Sequence, residues 1–163
     1  MNNGQNIQCY DYVNHPYPVV RDALKTNAVS VFSRATTGAS ARAESLAAAL
    51  HVDVGALEVG ADIEIIVHRT EETPRMGKMP PGTRIVFEWK AKKSSRLFPL
   101  MHAELLFFPL TASETQLAFS GHYDPPLGIF GSAVDAMVGK RVAEASIHRF
   151  VTEVATFLRA ELR

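Results

Sequence analysis

With 163 residues, 47% of them apolar and 21% charged, the chain is expected to form one globular domain, residues 1–163, around a substantial hydrophobic core. Its 17 Lys and Arg balance 17 Asp and Glu, which argues against nucleic acid as the main partner, because phosphate binding needs a basic excess or a concentrated patch. The single Cys9 excludes an intramolecular disulfide and points to a reducing compartment, with the cytoplasm as the default. Met1–Gln8 is polar and carries no secretory pattern, and the most apolar run, Leu97–Leu110, is too short to span a bilayer and holds His102 and Glu104.

In chain order, Ile7–Val13 reads as the first strand, with Cys9 and Asp11 on one face and Tyr10 and Tyr12 on the other. Either face could point inward. His15-Pro16-Tyr17-Pro18 breaks the strand, and helical pieces are expected over Val19–Lys25 and Ala28–Ala35. Ala41–Ala49 has helix propensity, yet Leu46–Val54 alternates His51 and Asp53 with Leu50, Val52 and Val54 and reads as a strand. A turn over Gly55–Gly60 leads into Asp62–Arg69, where Ile63, Ile65 and Val67 oppose Asp62, Glu64 and His68. Thr70–Gly82 is expected to be a loop, and its Met76 and Met79 mark either a candidate flap or two stray methionines.

Three strands follow with one buried and one wet face. Ile85, Phe87, Trp89 and Ala91 alternate with Arg84, Glu88, Lys90 and Lys92; Met101, Ala103, Leu105 and Phe107 oppose His102 and Glu104; Leu117, Phe119 and Tyr123 oppose Gln116, Ser120 and His122. The basic group Lys90, Lys92, Lys93 and Arg96, beside Ser94-Ser95, reads as a solvated hairpin turn. Short connections make this an antiparallel meander. Beyond Pro125-Pro126, Gly128 and Gly131, no proline interrupts the chain, and one helix is expected from Gly131 to about Leu162, roughly 45–50 Å long. Its second half has a core stripe of Ile147, Phe150, Val151, Val154, Phe157 and Leu158. Backwards, the same face meets only small residues, Ala143, Gly139, Ala136, Ala133 and Ser132, while Val134, Met137, Val138 and Val142 lie on the other side. Either the small residues leave a space beneath the helix, or its first half turns a different face inward.

A strand, short helices, an antiparallel meander and one long final helix follow the helix-grip order. The chain resembles the START/Bet v 1-like (SRPBCC) superfamily, in particular its bacterial polyketide cyclase/dehydrase and lipid-transport-like proteins. The resemblance rests most on Phe119-Ser-Gly-His-Tyr123 and Asp124-Pro-Pro-Leu-Gly128, leading into Arg141-Val-Ala-Glu-Ala145 and Phe150. It implies an α+β fold in which a curved antiparallel sheet of six or seven strands grips the C-terminal helix around a largely apolar cavity. Residues expected at that cavity are Phe87, Trp89, Met101, Phe107, Phe119 and Tyr123 from the sheet and Ala136 and Ala143 from the helix, with Arg69 at the mouth.

The sequence carries no phosphate-binding glycine loop, dinucleotide fingerprint, zinc-protease motif or nucleophile elbow, and neither a metal nor a cofactor is expected. His51 with Asp53, and His102 with Glu104, share faces opposite the apolar sets and read as solvated surface groups. Arg69 and Tyr123 are polar but in phase with apolar faces. Asp11 shares a face with Ile7 and Cys9 and is a candidate partner for Arg69, which could equally snorkel to water or meet an anionic ligand. Three readings follow. The favoured one is a binder of a hydrophobic small molecule, such as a lipid, isoprenoid or polyketide-like compound. The second is a cyclase/aromatase- or dehydratase-type enzyme drawing on Arg69, Tyr123 and Asp11. The third is an interaction protein whose helix stripe Val134, Met137, Val138 and Val142, if exposed, serves a homodimer or another partner.

Overall fold

The computed structural model describes residues 5–49, 63–91, 100–124 and 133–162, and the side chains of 5, 38, 40–49, 63, 90–91, 100, 123–124, 133–140 and 142–143 lie outside that description. The elements are β1 (Gln5–Val13), α1 (Tyr17–Ala49), β2 (Ile63–Thr73), β3 (Gly82–Ala91), β4 (Leu100–Thr111), β5 (Glu114–Asp124) and α2 (Ala133–Glu161). The five strands form one sheet in the order β1-β5-β4-β3-β2, with every neighbour antiparallel. Among the described residues this is one or two strands fewer than the six or seven expected. Both helices pack on the same face of the sheet, α2 mainly over β1 and α1 mainly over β2, and against each other.

Alternation decides which face is inner. Ile7, Cys9 and Val13 of β1, Ile85, Phe87 and Trp89 of β3, Met101, Ala103, Leu105 and Phe107 of β4, and Leu117 and Phe119 of β5 are all buried. Tyr10 and Tyr12 therefore point outward, and both are exposed. The long final helix forms as expected, and Ile147, Phe150, Val151, Val154 and Leu158 are buried along one side. Val134, Met137, Val138 and Val142 have side chains outside the described residues.

The first helical region departs from the expectation. Val19–Lys25 and Ala28–Ala35 belong to one helical run, bent at Asn27, whose φ of −128° and ψ of 22° are not helical. Thr26 contributes to the bend, because its hydroxyl donates to the Asp22 carbonyl one turn back at 2.9 Å. The helix then continues to Ala49 through the stretch read as the start of a strand. In Leu46–Ala49 alanine propensity outweighs a weak two-residue alternation; 50–54, with His51 and Asp53, lie outside the described residues.

The loop expected over Thr70–Gly82 is shorter than its sequence implies. β2 runs on to Thr73, β3 begins at Gly82, and Met76 and Met79 exchange backbone hydrogen bonds of 3.1 and 2.9 Å. The tight turn between them places Gly77 at φ 60°, a conformation that favours glycine. Met76 and Met79 thus close a hairpin tip.

Phe150 is the centre of the core. Its ring lies 5.6 Å from Phe32 of α1, 5.9 Å from Phe87, 4.9 Å from Trp89 and 5.9 Å from Phe119, between centroids. All five side chains are almost completely buried. Truncating Phe150 to alanine removes a ring that ties α2 to α1 and to two strands, and should cost about 3–5 kcal/mol in urea unfolding followed by circular dichroism. A second tie links α1 to the β2–β3 edge. Lys25 donates to Glu72, Tyr17 and Thr83 share a 2.6 Å hydroxyl contact, and Thr83 donates to the other Glu72 oxygen at 3.3 Å. The Lys25 contact above all holds the Glu72 carboxyl below its ordinary pKa. A lowered carboxylate contributes stability above the unfolded value of about 4.3 and loses it as pH falls through the folded one. Wild type should therefore exceed Glu72→Gln in stability at neutral pH by a small, salt-sensitive margin. In thermal unfolding across pH, that margin should vanish on acidification.

Candidate functional site

The inner face is laid out in cross-strand rows fixed by the register. Ile85, Leu105, Phe119 and Cys9 form one; Phe87, Ala103, Gly121 and Ile7 the next; Trp89, Met101, Tyr123 and Gln5 the last before the end of the sheet from which α2 departs. The middle row contains the two smallest residues. A Cβ built on Gly121 would lie 2.7 Å from the Phe119 ring and 2.8 Å from the Met101 sulfur, so both side chains lean over the space a larger residue would fill. Trp89 stacks on Phe119 at 6.2 Å, and Phe87 meets Phe32 at 4.6 Å.

The structure therefore brings Phe87, Trp89, Met101 and Phe119 together as one apolar wall. It does not bring Phe107 to them. Phe107 pairs with Thr83 and Leu117 at the opposite end, where its ring lies 6.1 Å from Tyr17. The side chains of Tyr123, Ala136 and Ala143 lie outside the described residues; their backbone positions are the end of β5 and the first half of α2.

Arg69 requires a correction. A β-bulge falls between Val67 and Arg69, so that Val67 pairs with inner-facing Phe87 but Arg69 pairs with outer-facing Val86. One extra residue inverts the phase, and Arg69 is carried to the outer face. There it is exposed and its Nε lies 3.4 Å from Glu71. The rest of that face is a charged ladder. Glu71 and Glu104 flank Arg84 at 3.2 and 3.4 Å, and one Glu88 oxygen lies 3.3 Å from His68 and 3.4 Å from His102. His102 and Glu104 are thus surface groups, as their phase indicates. Among the described residues, no three His, Cys, Asp or Glu side chains converge as a metal site.

Asp11 also has a partner other than the one expected. It accepts from Arg159 of α2 at 3.1 Å, and the same guanidinium donates to the Tyr12 carbonyl and lies 5.2 Å from the Tyr12 ring. The pairing joins positions 148 residues apart, and nothing local in the sequence signals it. Nearby, the Cys9 sulfur lies 3.2 Å from Nδ1 of His148. Burial first, and the Asp11 charge second, push the Cys9 thiol above its ordinary pKa. The protonated thiol can then donate to the imidazole. A lone cysteine in an apolar phase gives no hint of this partner.

No family model matches the chain, and no curated protein is similar to it in sequence. Solved structures are similar in fold. A Thermus thermophilus protein superposes with a TM-score of 0.50 at 10% identity, over 96% of this chain and 98% of its own. The shared architecture, a curved antiparallel sheet with a long C-terminal helix on one face, is a helix-grip fold. An aromatase/cyclase from Streptomyces aligns over 99% of this chain and 97% of its own, with 14% identity and a TM-score of 0.49. The lipid transfer and protein localization domain of a human StarD protein aligns over 93% and 75%, with 10% identity and a TM-score of 0.45. In this helix-grip chain, no helix among the described residues is long and apolar enough to cross a membrane.

Cys9 offers a check on how tightly the final helix closes over β1. At neutral pH, iodoacetamide should modify it far more slowly in the native protein than in urea, because the thiol is buried and its thiolate disfavoured. Equal rates, read by intact mass, would contradict the packing of α2 on β1.

Proposed function

We propose that the chain binds a hydrophobic small molecule between the last rows of the sheet and the first half of α2. The supporting observation is the change in side-chain size along the stripe of α2. Towards the end of α2, Ile147, Phe150, Val154 and Leu158 are buried and the aromatic cluster fills the interior. One helical repeat earlier, the sequence on the same stripe is Ala143, Gly139 and Ala136, and the last row of the sheet carries Trp89, Met101 and Tyr123. Large apolar groups on the sheet, together with a helix stripe no bulkier than a methyl, have the composition of a small-molecule site. Lipids, isoprenoids and polyketide-like compounds fit that chemistry. A catalytic role has less to draw on: Asp11 is held by Arg159, and Arg69 stands on the outer face. The compartment proposed is the cytoplasm.

Trp89 is the only tryptophan and reports on this wall. Titration with palmitate, cholesterol, a menaquinone and an anthraquinone should give a saturable change in its emission with at least one of them. Ala143→Phe should remove that response while leaving the circular dichroism unchanged, and Arg69→Ala should leave affinity as it was. Silence from all four compounds, together with native mass spectra free of any co-purified ligand, would overturn the proposal. A change in the mass of the bound compound would instead identify an enzyme.

A further inference from the structure

The two edges of the sheet differ in how they are protected. β2, at one edge, carries the bulge next to His68 and a run of charged residues, Glu64, His68, Arg69, Glu71 and Glu72, followed by Pro74. Bulges, charges and proline are the devices that stop an edge strand from pairing with a foreign strand. β1, at the other edge, has none of them from Gln5 to Tyr10: the segment Gln5-Asn-Ile-Gln-Cys-Tyr10 holds no charge, no proline and no glycine.

The direction of the backbone along β1 is marked by Tyr12. Its N–H donates to the Asp11 side chain at 2.7 Å and its carbonyl accepts from Arg159. Both groups are thus taken by side chains on the side away from β5. In an antiparallel ladder this orientation recurs at every second residue, so the N–H and carbonyl groups of Tyr10, Gln8 and Asn6 face the same way. Among the described residues, no backbone bond to that side of these three is present beyond the β1–β5 ladder. Their side chains are exposed, while Ile7 and Cys9 between them are buried in the core. The usable edge therefore runs from Asn6 to Tyr10 and is stopped at Tyr12 by the Asp11–Arg159 clasp.

We infer that this edge is an interface for a second copy of the chain, which pairs β1 with β1 about a two-fold axis through Gln8. The segment is self-complementary about that residue. Gln8 faces its own copy, and Asn6 faces Tyr10 of the partner twice over. The outward-facing backbone groups of all three residues meet in hydrogen-bonded pairs, and no like charges are brought together. Sliding by two residues in one direction would bring Asn6 opposite Tyr12, whose backbone the clasp already holds; sliding in the other would leave Tyr10 without a partner within Gln5–Val13. The five described strands of each copy then join in one continuous sheet, with the helices of both copies on one side.

The inference is independent of what the interior binds, and sedimentation velocity on the full chain tests it. Wild type should show a concentration-dependent monomer–dimer equilibrium. Gln8→Pro leaves the β1–β5 ladder intact, because the N–H it removes faces outward. It should raise the dimer dissociation constant about tenfold or more, through loss of the two central bonds. Gln8→Lys and Gln8→Glu should each weaken the dimer alone and re-form it as a heterodimer when mixed, which keeps the test valid if the proline variant fails to fold. A monomeric wild type overturns the inference. So does a dimer that survives all three Gln8 substitutions but is lost in Val138→Asp.

Discussion

Four rings from three different elements need the same neighbour, and only Phe150 meets them all. It touches Phe32 of α1, Phe87 and Trp89 of β3 and Phe119 of β5. The room for this contact comes from Ala103 and Gly121, which share a cross-strand row with Phe87 and keep the centre of the sheet low. Large rings around a shallow row are a packing solution that cannot shift by one residue without a clash, because protein interiors are close to crystalline density. The position of α2 along the sheet, and hence which of its residues lie over Trp89 and Met101, follows from this single insertion.

The two faces of the sheet are under different constraints. On the inner face shape decides, and small residues matter as much as large ones. On the outer face Glu71–Arg84–Glu104 and His68–Glu88–His102 form two chains of contacts at 3.2–3.4 Å, each running across β2, β3 and β4. Such exposed pairs contribute little each. Their effect is to fix solvent exposure and register, since a one-residue slip would bring charge into the aromatic cluster.

How much of this the sequence reveals depends on the range of the interaction. Strands β3, β4 and β5 can be read from alternation because each has one wet face, and α2 can be read from its stripe and its freedom from proline. Phe87, Trp89, Met101 and Phe119 follow directly from the same alternation. Arg69 does not, because a bulge has no reliable signature in a single strand, and one extra residue reverses every assignment beyond it. Leu46–Ala49 shows the converse case: a short alternation is too weak to compete with a run of alanines. Phe107 is in phase with the wall, yet period alone gives the face and not the distance along the strand, so its place beside Tyr17 was not legible. The pairs Asp11–Arg159 and Cys9–His148 depend on α2 crossing β1, which is a fact of topology.

That topology has a consequence for how the protein is made. β1 is synthesised before the other strands, yet among the described residues of one chain its partner is β5, Gln5 with Tyr123 at one end and Val13 with Thr115 at the other. Its charged anchor, Arg159, lies in the final turn of α2. On the ribosome the leading strand must wait, unpaired, until more than a hundred further residues have emerged. The meander of β2 to β5 can form earlier from its local hairpins, because loop-closure entropy favours near neighbours. The described sheet is therefore completed by its oldest strand, and the Arg159 anchor of that strand is added last, once the end of α2 has emerged.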